Sequence, residues 1–174
     1  VGHLVLLDRD VVAPSNINRQ ALAFTSTIGR PKAEVMRAMV LDINPTADVA
    51  AITAFLDKDA LPQQMDELGH LDYVVDAIDT VAQKLRLAAW CQERGVTELS
   101  AMGGANKLDP CRMRFARIED TVNCPLARVM RKECRRRGIH GLRVLFSDEK
   151  PVRMEAISDE QWMREGSLLG TMSY

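Results

Sequence analysis

The architecture of this chain follows from the stretch Leu4-Val5-Leu6-Leu7-Asp8-Arg9-Asp10-Val11-Val12-Ala13-Pro14-Ser15-Asn16-Ile17-Asn18-Arg19-Gln20. Its continuous apolar run, bounded by a polar loop, predicts a buried parallel strand at residues 4–8. The strand ends on an acid, and a carboxylate near the end of a strand in doubly wound folds binds ribose hydroxyls. Because the loop that follows carries amide and cationic side chains suited to a polyphosphate, the stretch predicts a nucleotide site.

Strands and helices alternate along the rest of the sequence. The predicted helices cover residues 31–43, 59–68, 80–94 and 125–137, and the other predicted strands cover 49–55, 73–79, 96–100, 112–118 and 142–146. This order predicts a doubly wound, Rossmann-like α/β fold whose mostly parallel sheet has an antiparallel extension at residues 112–118. We expect a single domain over residues 1–174 that lacks its first βα unit, because the sequence enters a strand at once and both ends look like cuts in a longer chain.

The composition excludes several classes of protein. The 174 residues are 47% hydrophobic and 27% charged, which is enough to bury a core, and a net charge of -1 argues against a globally basic nucleic-acid coat. No run approaches the ~20 apolar residues of a membrane span. The four cysteines form no C-x-x-C pair and follow no signal peptide. This pattern favours a reduced, cytoplasmic compartment over a disulfide framework, and it disfavours a structural zinc.

Charged residues near the predicted strand ends are the candidate nucleotide ligands. Asp8 would accept hydrogen bonds from both ribose hydroxyls, since an ionised carboxylate is a pure acceptor. Arg19 would hold phosphates as a planar fork, and Lys32, at a predicted helix start, would hold them as a point charge. Asp79 follows a strand and would be a hard oxygen ligand for Mg²⁺, or it would cap the next helix. Asp10 would orient the loop.

The loop motif resembles that of a known superfamily. The pattern D-x-D-x-V-x-x-S-N-x-N-R-Q, followed by I-G-x-x-K, is similar to that of the ThiF/MoeB/HesA superfamily, the ubiquitin-activating-enzyme-like adenylating enzymes. The matching positions are Asp8, Asn16, Asn18, Arg19, Gln20, Ile28, Gly29 and Lys32. The resemblance therefore implies an enzyme that uses ATP and Mg²⁺ to adenylate a carboxylate.

The resemblance also implies roles for individual residues. The ATP-binding residues would be Asp8, Asp10, Asn16, Asn18, Arg19, Gln20, Lys32 and Asp79. Of these, Arg19, Lys32 and Asp79 would be catalytic. Asp79 would hold the metal, because the second Asp of D-x-x-D has this role in the family, and Asp79 is therefore favoured over Asp76. From the residues alone, the amides of Asn16, Asn18 and Gln20 could bind either phosphate or the loop itself.

Within the superfamily, residues 4–152 resemble the tRNA threonylcarbamoyladenosine dehydratases. The similar segments are Gly103-Gly104-Ala105, Leu108-Asp109-Pro110, residues 120–128 and residues 144–152. The implied reaction is an ATP-dependent dehydration of a threonylcarbamoyl group on a tRNA adenosine next to the anticodon. The substrate carboxylate attacks the α-phosphorus and releases pyrophosphate, and the carbamoyl group then closes a ring and releases AMP. Ring closure is intramolecular, so positioning can supply much of the rate.

A basic helix fits an RNA substrate. Four cations, Arg128, Arg131, Lys132 and Arg135, recur at helical spacing over residues 125–137 and would bind tRNA phosphates. The alternative is a solvated helix face with cations near its C-terminus, where the helix dipole favours them. Cys124 precedes this helix, where it could be a nucleophile of lowered pKa or an ordinary helix cap.

Two further expectations concern the missing motif and the alternative functions. The superfamily has a glycine-rich G-x-G-G-x-G turn whose backbone amides cradle phosphates, and these 174 residues contain none. We therefore expect residues 1–174 alone to bind ATP weakly or not at all, and to be inactive by themselves. The alternatives are adenylation of a ubiquitin-like sulfur carrier and a non-catalytic dimerising module. The resemblance further implies a homodimer, sulfur-relay partners, no DNA, and a cytoplasmic protein for which peripheral membrane association is left open.

Overall fold

The computed structural model describes residues 2–57 and 59–152. The chain divides after Phe55 into two compact units, the second of which begins at Leu56. The tail from residue 153 onward, to which the sequence assigned no element, lies outside the described residues. The single domain predicted over residues 1–174 stays a prediction.

The first unit is a short parallel sheet with one crossover helix. Its elements are β1 (His3–Leu7), α1 (Lys32–Ile43) and β2 (Asp48–Ile52). The two strands pair in parallel, with Leu4 opposite Val49, and parallel strands need such a crossover because a tight hairpin cannot join them. The loop between β1 and α1 contains two 3-10 turns, Pro14–Asn16 and Thr25–Thr27.

This loop has an apolar core of its own. Val12 and Ala23 from the loop are buried against Val35 of α1, and Leu22 and Met39 pack around them. Full burial of a valine side chain such as Val12 or Val35 stabilises a segment by roughly 1.5–3 kcal/mol, before the entropy of ordering the chain is subtracted. The loop that carries the candidate nucleotide ligands is therefore anchored to α1 by its apolar residues.

The second unit is a four-stranded mixed sheet with its helices. Its elements are α2 (Leu61–Asp66), β3 (Tyr73–Asp76), α3 (Val81–Arg94), β4 (Thr97–Ala101), β5 (Met113–Arg117), α4 (Pro125–Arg137) and β6 (Arg143–Ser147), with 3-10 turns at Pro110–Arg112 and Ile118–Asp120. The strand order is β3-β4-β6-β5, and β5 alone runs antiparallel within this sheet. Because β3 and β4 are parallel, their carboxyl ends lie at the same end of the sheet, where the turn that carries Asp79 begins.

The core of the second unit joins two helices to the sheet. Leu85 and Ala88 of α3, Met130 of α4, and Val144 and Phe146 of β6 belong to one buried cluster. The two helices therefore pack their apolar sides on the central part of the sheet, as the helical spacing of these residues predicts.

Every predicted helix and strand within the described residues is present, and only their ends differ. β3 ends at Asp76 rather than at Asp79, because the Asp76 carboxylate accepts a hydrogen bond from the backbone N–H of Ile78 and turns the chain. α2 is shorter than predicted and covers Leu61–Asp66. α3 ends, as predicted, at Arg94, and the C-cap Gly95 that follows has a φ of 68°, the left-handed conformation typical of this position.

Candidate nucleotide site

Backbone hydrogen bonds hold the loop of the first unit against the start of α1. The N–H of Val12 donates to the carbonyl of Arg30 at 2.9 Å, and the N–H of Gly29 donates to the carbonyl of Val12 at 2.8 Å. Gly29 has a φ of 82°, a conformation that other residues rarely adopt. The N–H of Lys32 donates to the carbonyl of Asp10 at 2.9 Å. This pairing brings the end of β1 and the first residue of α1 side by side.

Two acids and one lysine lie together where β1 ends. An Oδ1 atom of Asp8 accepts a hydrogen bond from the backbone N–H of Asp10 at 2.8 Å, so Asp8 shapes the first turn of the loop. The Nζ atom of Lys32 lies 3.2 Å from Oδ2 of Asp10, and Lys32 is 8% exposed. Asp10, which the sequence predicted to orient the loop, thus pairs with the predicted phosphate-binding lysine.

The polar side chains of the loop have different partners. Asn16 is buried, and its Oδ1 accepts from the N–H of Ala13 at 3.0 Å, so this amide supports the first 3-10 turn. The exposed Arg19 donates through Nη1 to the carbonyl of Ser15 at 2.6 Å and to Oδ1 of Asn18 at 3.0 Å. The loop therefore uses Asn16 for its own structure, and Asn18 helps to orient the guanidinium group.

Gln20 differs from the two asparagines. Its Oε1 atom is buried and has no hydrogen-bond partner among the described residues. A buried acceptor without a partner costs free energy, which a hydrogen bond from a ligand or a water would recover. The structure therefore distinguishes two amides that the sequence pattern left equivalent: the side-chain oxygen of Asn16 bonds to the loop, and that of Gln20 is left for another donor.

Asp79 lies in the turn between β3 and α3 of the second unit. Its side chain is exposed, and its Oδ1 accepts a hydrogen bond from the Thr80 hydroxyl at 3.1 Å. Thr80 is the N-cap of α3, and no side chain caps this helix end. Asp79 thus does not act as a helix cap, and its carboxylate remains open to solvent. Asp76, the other acid of D-x-x-D, is 1% exposed.

The sequence interpretation missed a buried ionic network beside Asp79. The Nζ atom of Lys84 lies 2.9 Å from Oδ2 of Asp76, 3.1 Å from the Ser100 hydroxyl and 2.8 Å from the carbonyl of Ala101. The Ser100 hydroxyl in turn donates to the Asp76 carboxylate at 2.5 Å. A signal was available in the sequence, since Lys84 lies four residues before Ala88, on the buried side of α3.

Glu98 is a second acid that the sequence interpretation did not identify. It lies on β4, is 6% exposed, and both of its carboxylate oxygens are buried. Burial first, and then the negative charge of Asp76, raise the pKa of Glu98 to about 8, against the lowering effects of Lys84 and Cys91. Burial also raises the pKa of the Cys91 thiol, so Cys91 is an unreactive core residue.

Cys124 is a helix cap. It is buried as the N-cap of α4, where its Sγ accepts from the N–H of Ala127 at 3.5 Å and contacts the carbonyl of Gly103 at 3.7 Å. Of the two interpretations that the sequence left open, a nucleophile and an ordinary helix cap, the helix cap therefore describes the environment of this thiol.

The basic helix α4 has fewer free cations than its sequence suggests. Arg131 is half-buried and donates through Nη1 to the carbonyl and the hydroxyl of Thr121, each at 2.6 Å. Arg136 and Arg137 both pair with Glu133, at 2.6 Å and 3.7 Å. Val129 of the same helix, although apolar, is 47% exposed. We call the three remaining exposed cations, Arg128, Lys132 and Arg135, the basic face of α4.

The part of the chain that the structure describes contains neither a cluster of metal-binding side chains nor a membrane-spanning helix. Among residues 2–57 and 59–152, no three or more His, Cys, Asp or Glu side chains are grouped so that they could hold a metal ion. In the same part of the chain, every helix is too short or too polar to cross a bilayer.

Comparison with known proteins assigns the family. Residues 1–145 match the ThiF family. The chain belongs to the ThiF family. It is 41% identical, over 97% of its length, to the tRNA threonylcarbamoyladenosine dehydratase of Bacillus subtilis and covers 68% of that protein. It is also 33% identical, over 75% of its length, to the molybdopterin-synthase adenylyltransferase of Salmonella typhimurium, of which it covers 56%.

A solved structure shows the fold of this ThiF-family chain. The crystal structure of E. coli tRNA N6-threonylcarbamoyladenosine dehydratase in complex with ATP matches 87% of the chain with a TM-score of 0.81 and 31% identity. The chain spans 65% of the length of that protein. The predicted family and the predicted Rossmann-like α/β fold are therefore confirmed. The roles assigned to individual residues stay predictions.

Proposed function

We propose that the protein containing this chain is an ATP-dependent enzyme that dehydrates threonylcarbamoyladenosine in tRNA through adenylation of its carboxylate. The observation that carries this proposal is the 41% identity, over 97% of the chain, to a tRNA threonylcarbamoyladenosine dehydratase. The similar E. coli dehydratase was crystallised in complex with ATP, which supports the choice of nucleotide. Within the second unit the carboxylate of Asp79 is exposed, and within the first unit the loop after β1 pairs Asp10 with Lys32, which supports the proposed use of these side chains.

In this proposal, Lys32 and Arg19 bind ATP phosphates and Asp8 binds the ribose. The geometry of Lys32 supports its role: the ammonium group is held at a helix start, and its partner is Asp10, an acid with an exposed side chain. A phosphate oxygen would offer the same ammonium a stronger, charge-assisted hydrogen bond. Asn16 supports the loop, and Asn18 orients Arg19. Gln20 offers its buried acceptor to a bound donor.

Asp79 fits a magnesium ion. Mg²⁺ prefers oxygen ligands and is usually held by one or two carboxylates together with substrate phosphates, so a dedicated cluster of acids is not required. When bound, the ion would neutralise the negative charge that develops on the leaving pyrophosphate. Asp79 suits this role because its carboxylate is exposed, whereas that of Asp76 is fully engaged with Lys84, Ser100 and the turn.

The chemical step then requires little from the protein beyond charge and alignment. The substrate carboxylate attacks the α-phosphorus of ATP and pyrophosphate leaves, which forms an acyl adenylate. The carbamoyl group of the same substrate then closes a ring and displaces AMP. The cations of Lys32 and Arg19 would stabilise the charge that develops on the phosphates, an effect usually worth about 3–4 kcal/mol per donor. Cys124, as a buried cap, takes no part.

We propose the basic face of α4 as a contact for tRNA. The exposed Arg128, Lys132 and Arg135 support this role, whereas Arg131 is committed to Thr121. Three exposed cations on one helix face suit the phosphates of an RNA backbone. The choice of tRNA as the RNA follows from the similarity to a tRNA threonylcarbamoyladenosine dehydratase.

A homodimer is the proposed assembly. β5 is one of the two outer strands of the four-stranded sheet, and on one side of this strand Phe115 is 70% exposed and Met113 is 40% exposed. Exposed apolar side chains on an outer strand are typical of protein interfaces. We further propose a cytoplasmic location, where tRNA is found, and leave sulfur-relay proteins as candidate partners.

The second candidate function is adenylation of a ubiquitin-like carrier, classed as a ligase activity. The similarity to a molybdopterin-synthase adenylyltransferase supports it. Against it, the four cysteines of this chain lack the C-x-x-C pairs expected of zinc-binding enzymes of that type.

One experiment separates the two functions. The protein as its gene encodes it is mixed with ATP and with either threonylcarbamoyladenosine-modified tRNA or a ubiquitin-like carrier that ends in Gly-Gly. With the tRNA, we expect the release of AMP. We also expect the mass of the modified nucleoside, measured by mass spectrometry, to decrease by the mass of one water molecule. Carrier-stimulated pyrophosphate exchange without any change in the tRNA would select the alternative. If the protein turns over neither substrate, the result would favour a non-catalytic module.

A further inference from the structure

The turn that carries Asp79 is closed by a buried ion pair. Asp76 precedes the turn at the end of β3, Lys84 follows it in the first turn of α3, and their side chains are both 0% exposed at a separation of 2.9 Å. Asp79 lies between these two residues in the sequence. The ion pair therefore joins the two ends of the segment that presents the exposed carboxylate.

Every hydrogen-bonding group of this pair has a partner. Lys84 donates to Asp76, to the Ser100 hydroxyl and to the carbonyl of Ala101, which accounts for the three N–H bonds of an ammonium group. Asp76 accepts from Lys84 and Ser100 on Oδ2, and from the backbone N–H of Ile78 on Oδ1 at 2.9 Å. The last of these bonds fixes the backbone of the residue directly before Asp79.

The pair is hard to explain by stability alone. Removing two charges from water costs about as much as their attraction returns, so an apolar pair of similar volume would be equally stable or more stable. The usual device for ordering a helix start is also not used here, because the N-cap Thr80 makes no side-chain capping bond. The bond from Ile78 to Asp76 and the anchor at Lys84 supply the order that a cap would otherwise provide.

We propose that Asp76, with Lys84 as its buried counter-charge, is a positioning residue that fixes the place of the Asp79 carboxylate relative to a bound metal ion and phosphates. This inference rests on the role proposed above for Asp79. Asp76 acts through the N–H of Ile78, and Lys84 compensates the charge that a buried carboxylate would otherwise carry unpaired. A displacement of about 1 Å at a reacting group can reduce a rate by about 100-fold, so such a device is worth its cost in burial.

The test uses two double variants that are equally free of charge. Asp76→Asn with Lys84→Met keeps a carbonyl oxygen that can accept from Ile78, and Asp76→Val with Lys84→Met removes it. Each is made in the protein as its gene encodes it, and ATP–pyrophosphate exchange is measured with modified tRNA over a range of Mg²⁺ concentrations. We expect the Asn/Met variant to stay within about threefold of the wild-type rate. The Val/Met variant should lose about 10-fold to 100-fold and require more Mg²⁺.

A double-mutant cycle shows whether the effect passes through Asp79. In an Asp79→Ala background, where the residual rate is measured, the change from Asn/Met to Val/Met should alter the rate by less than about twofold. Met130→Ala, a core truncation in α4, serves as the control for a general loss of stability, and melting temperatures are measured for all variants. If the Val/Met variant does not fold, Asp76→Ala with Lys84→Met replaces it.

The possible outcomes separate the positioning role from the role proposed for Asp79 itself. Equal rates for Asn/Met and Val/Met, or a full Val/Met effect in the Asp79→Ala background, would overturn the positioning role while Asp79 keeps its own. Wild-type activity of Asp79→Ala alone would overturn the proposed role of Asp79, and the positioning role with it.

Discussion

Lys32 and Lys84 are both buried, yet their surroundings give them different uses. Lys84 has three protein acceptors within 3.1 Å and has no free N–H left for a ligand. Lys32 instead pairs at 3.2 Å with the half-exposed side chain of Asp10. At the scale of single residues, the lysine that can exchange its partner for a phosphate is therefore Lys32.

The first prediction concerns Lys32. Lys32→Ala should lower kcat for ATP–pyrophosphate exchange by about 100-fold to 1,000-fold, because one preorganised cation is removed from the phosphates. Asp10→Asn should cost less than about 10-fold, since it removes the partner of Lys32 but keeps the ammonium group. Pre-steady-state and steady-state exchange assays measure the rate loss of each variant. Equal losses in the two variants would show that the pair is structural.

The second prediction concerns Glu98, whose pKa in the folded chain is about 8. In the unfolded chain this carboxyl ionises near 4.5, so the folded state binds more protons between the two values. Stability must therefore fall as the pH rises from about 4.5 to about 8 and then level off. Glu98→Gln should remove this contribution and melt at a higher temperature than the wild type at pH 8.

Thermal unfolding of both proteins at pH values from 5 to about 8.5 checks the sign. The difference between the melting temperatures should be small at pH 5 and should grow with pH in favour of the glutamine variant. A difference that does not vary with pH would mean that Glu98 ionises normally in the folded protein.

At the scale of elements, α4 shows that spacing along a helix does not reveal which cations are free. Arg131 has the same helical spacing as its neighbours, but the buried Thr121 lies close enough to accept from its guanidinium group twice. Arg136 and Arg137 lie within reach of Glu133. The surface that remains for an anionic partner is the basic face.

The third prediction tests this basic face. Reversing Arg128 and Lys132 to Glu should weaken tRNA binding and flatten its salt dependence by about 1.5–2 in the slope of log K against log salt. Lys150→Glu, an exposed charge reversal outside the basic face, is the control and should leave the slope nearly unchanged. Filter binding at several salt concentrations measures both. An unchanged slope in the double variant would end the RNA interpretation of α4.

At the scale of the whole molecule, β5 is the element that we expect a second copy of the chain to cover. Phe115 and Met113 are exposed on this outer strand, while Arg112 and Arg114 pair with Asp148. Met113 and Phe115 therefore form an exposed apolar pair, whereas the neighbouring Arg112 and Arg114 are engaged with Asp148. Such an arrangement suits contact with a second copy of the chain.

The fourth prediction follows from this arrangement. Phe115→Lys should shift the protein from dimer toward monomer, because a charge cannot be buried in an apolar interface without a partner. Sedimentation equilibrium measures the change, and Val75→Lys, a second exposed apolar position on another strand, is the comparison. A wild-type protein that is already monomeric, or a Phe115 variant with unchanged mass, would contradict the proposal.

Much of the fold was predictable because it depends on local patterns. Apolar runs and helical spacing identified all the described α-helices and strands, and the predicted end of α3 at residue 94 was correct. Strand boundaries were less accurate, as at β3, where the Asp76 side chain turns the chain earlier than the apolar run suggests. The candidate site residues Asp8, Arg19 and Lys32 were predicted from a specific motif, and their roles stay predictions.

The amino-acid order thus determined the α/β class, the order of elements and the family, because periodicity and short motifs are properties of neighbouring residues. Tertiary contacts determined which polar side chains are free and which are engaged. Lys84, Arg131 and Cys124 each acquire their partners from segments ten or more residues away or from a helix end that forms only on folding. A hydrogen bond between distant segments leaves no periodic trace in the sequence, so only three-dimensional packing could assign those partners.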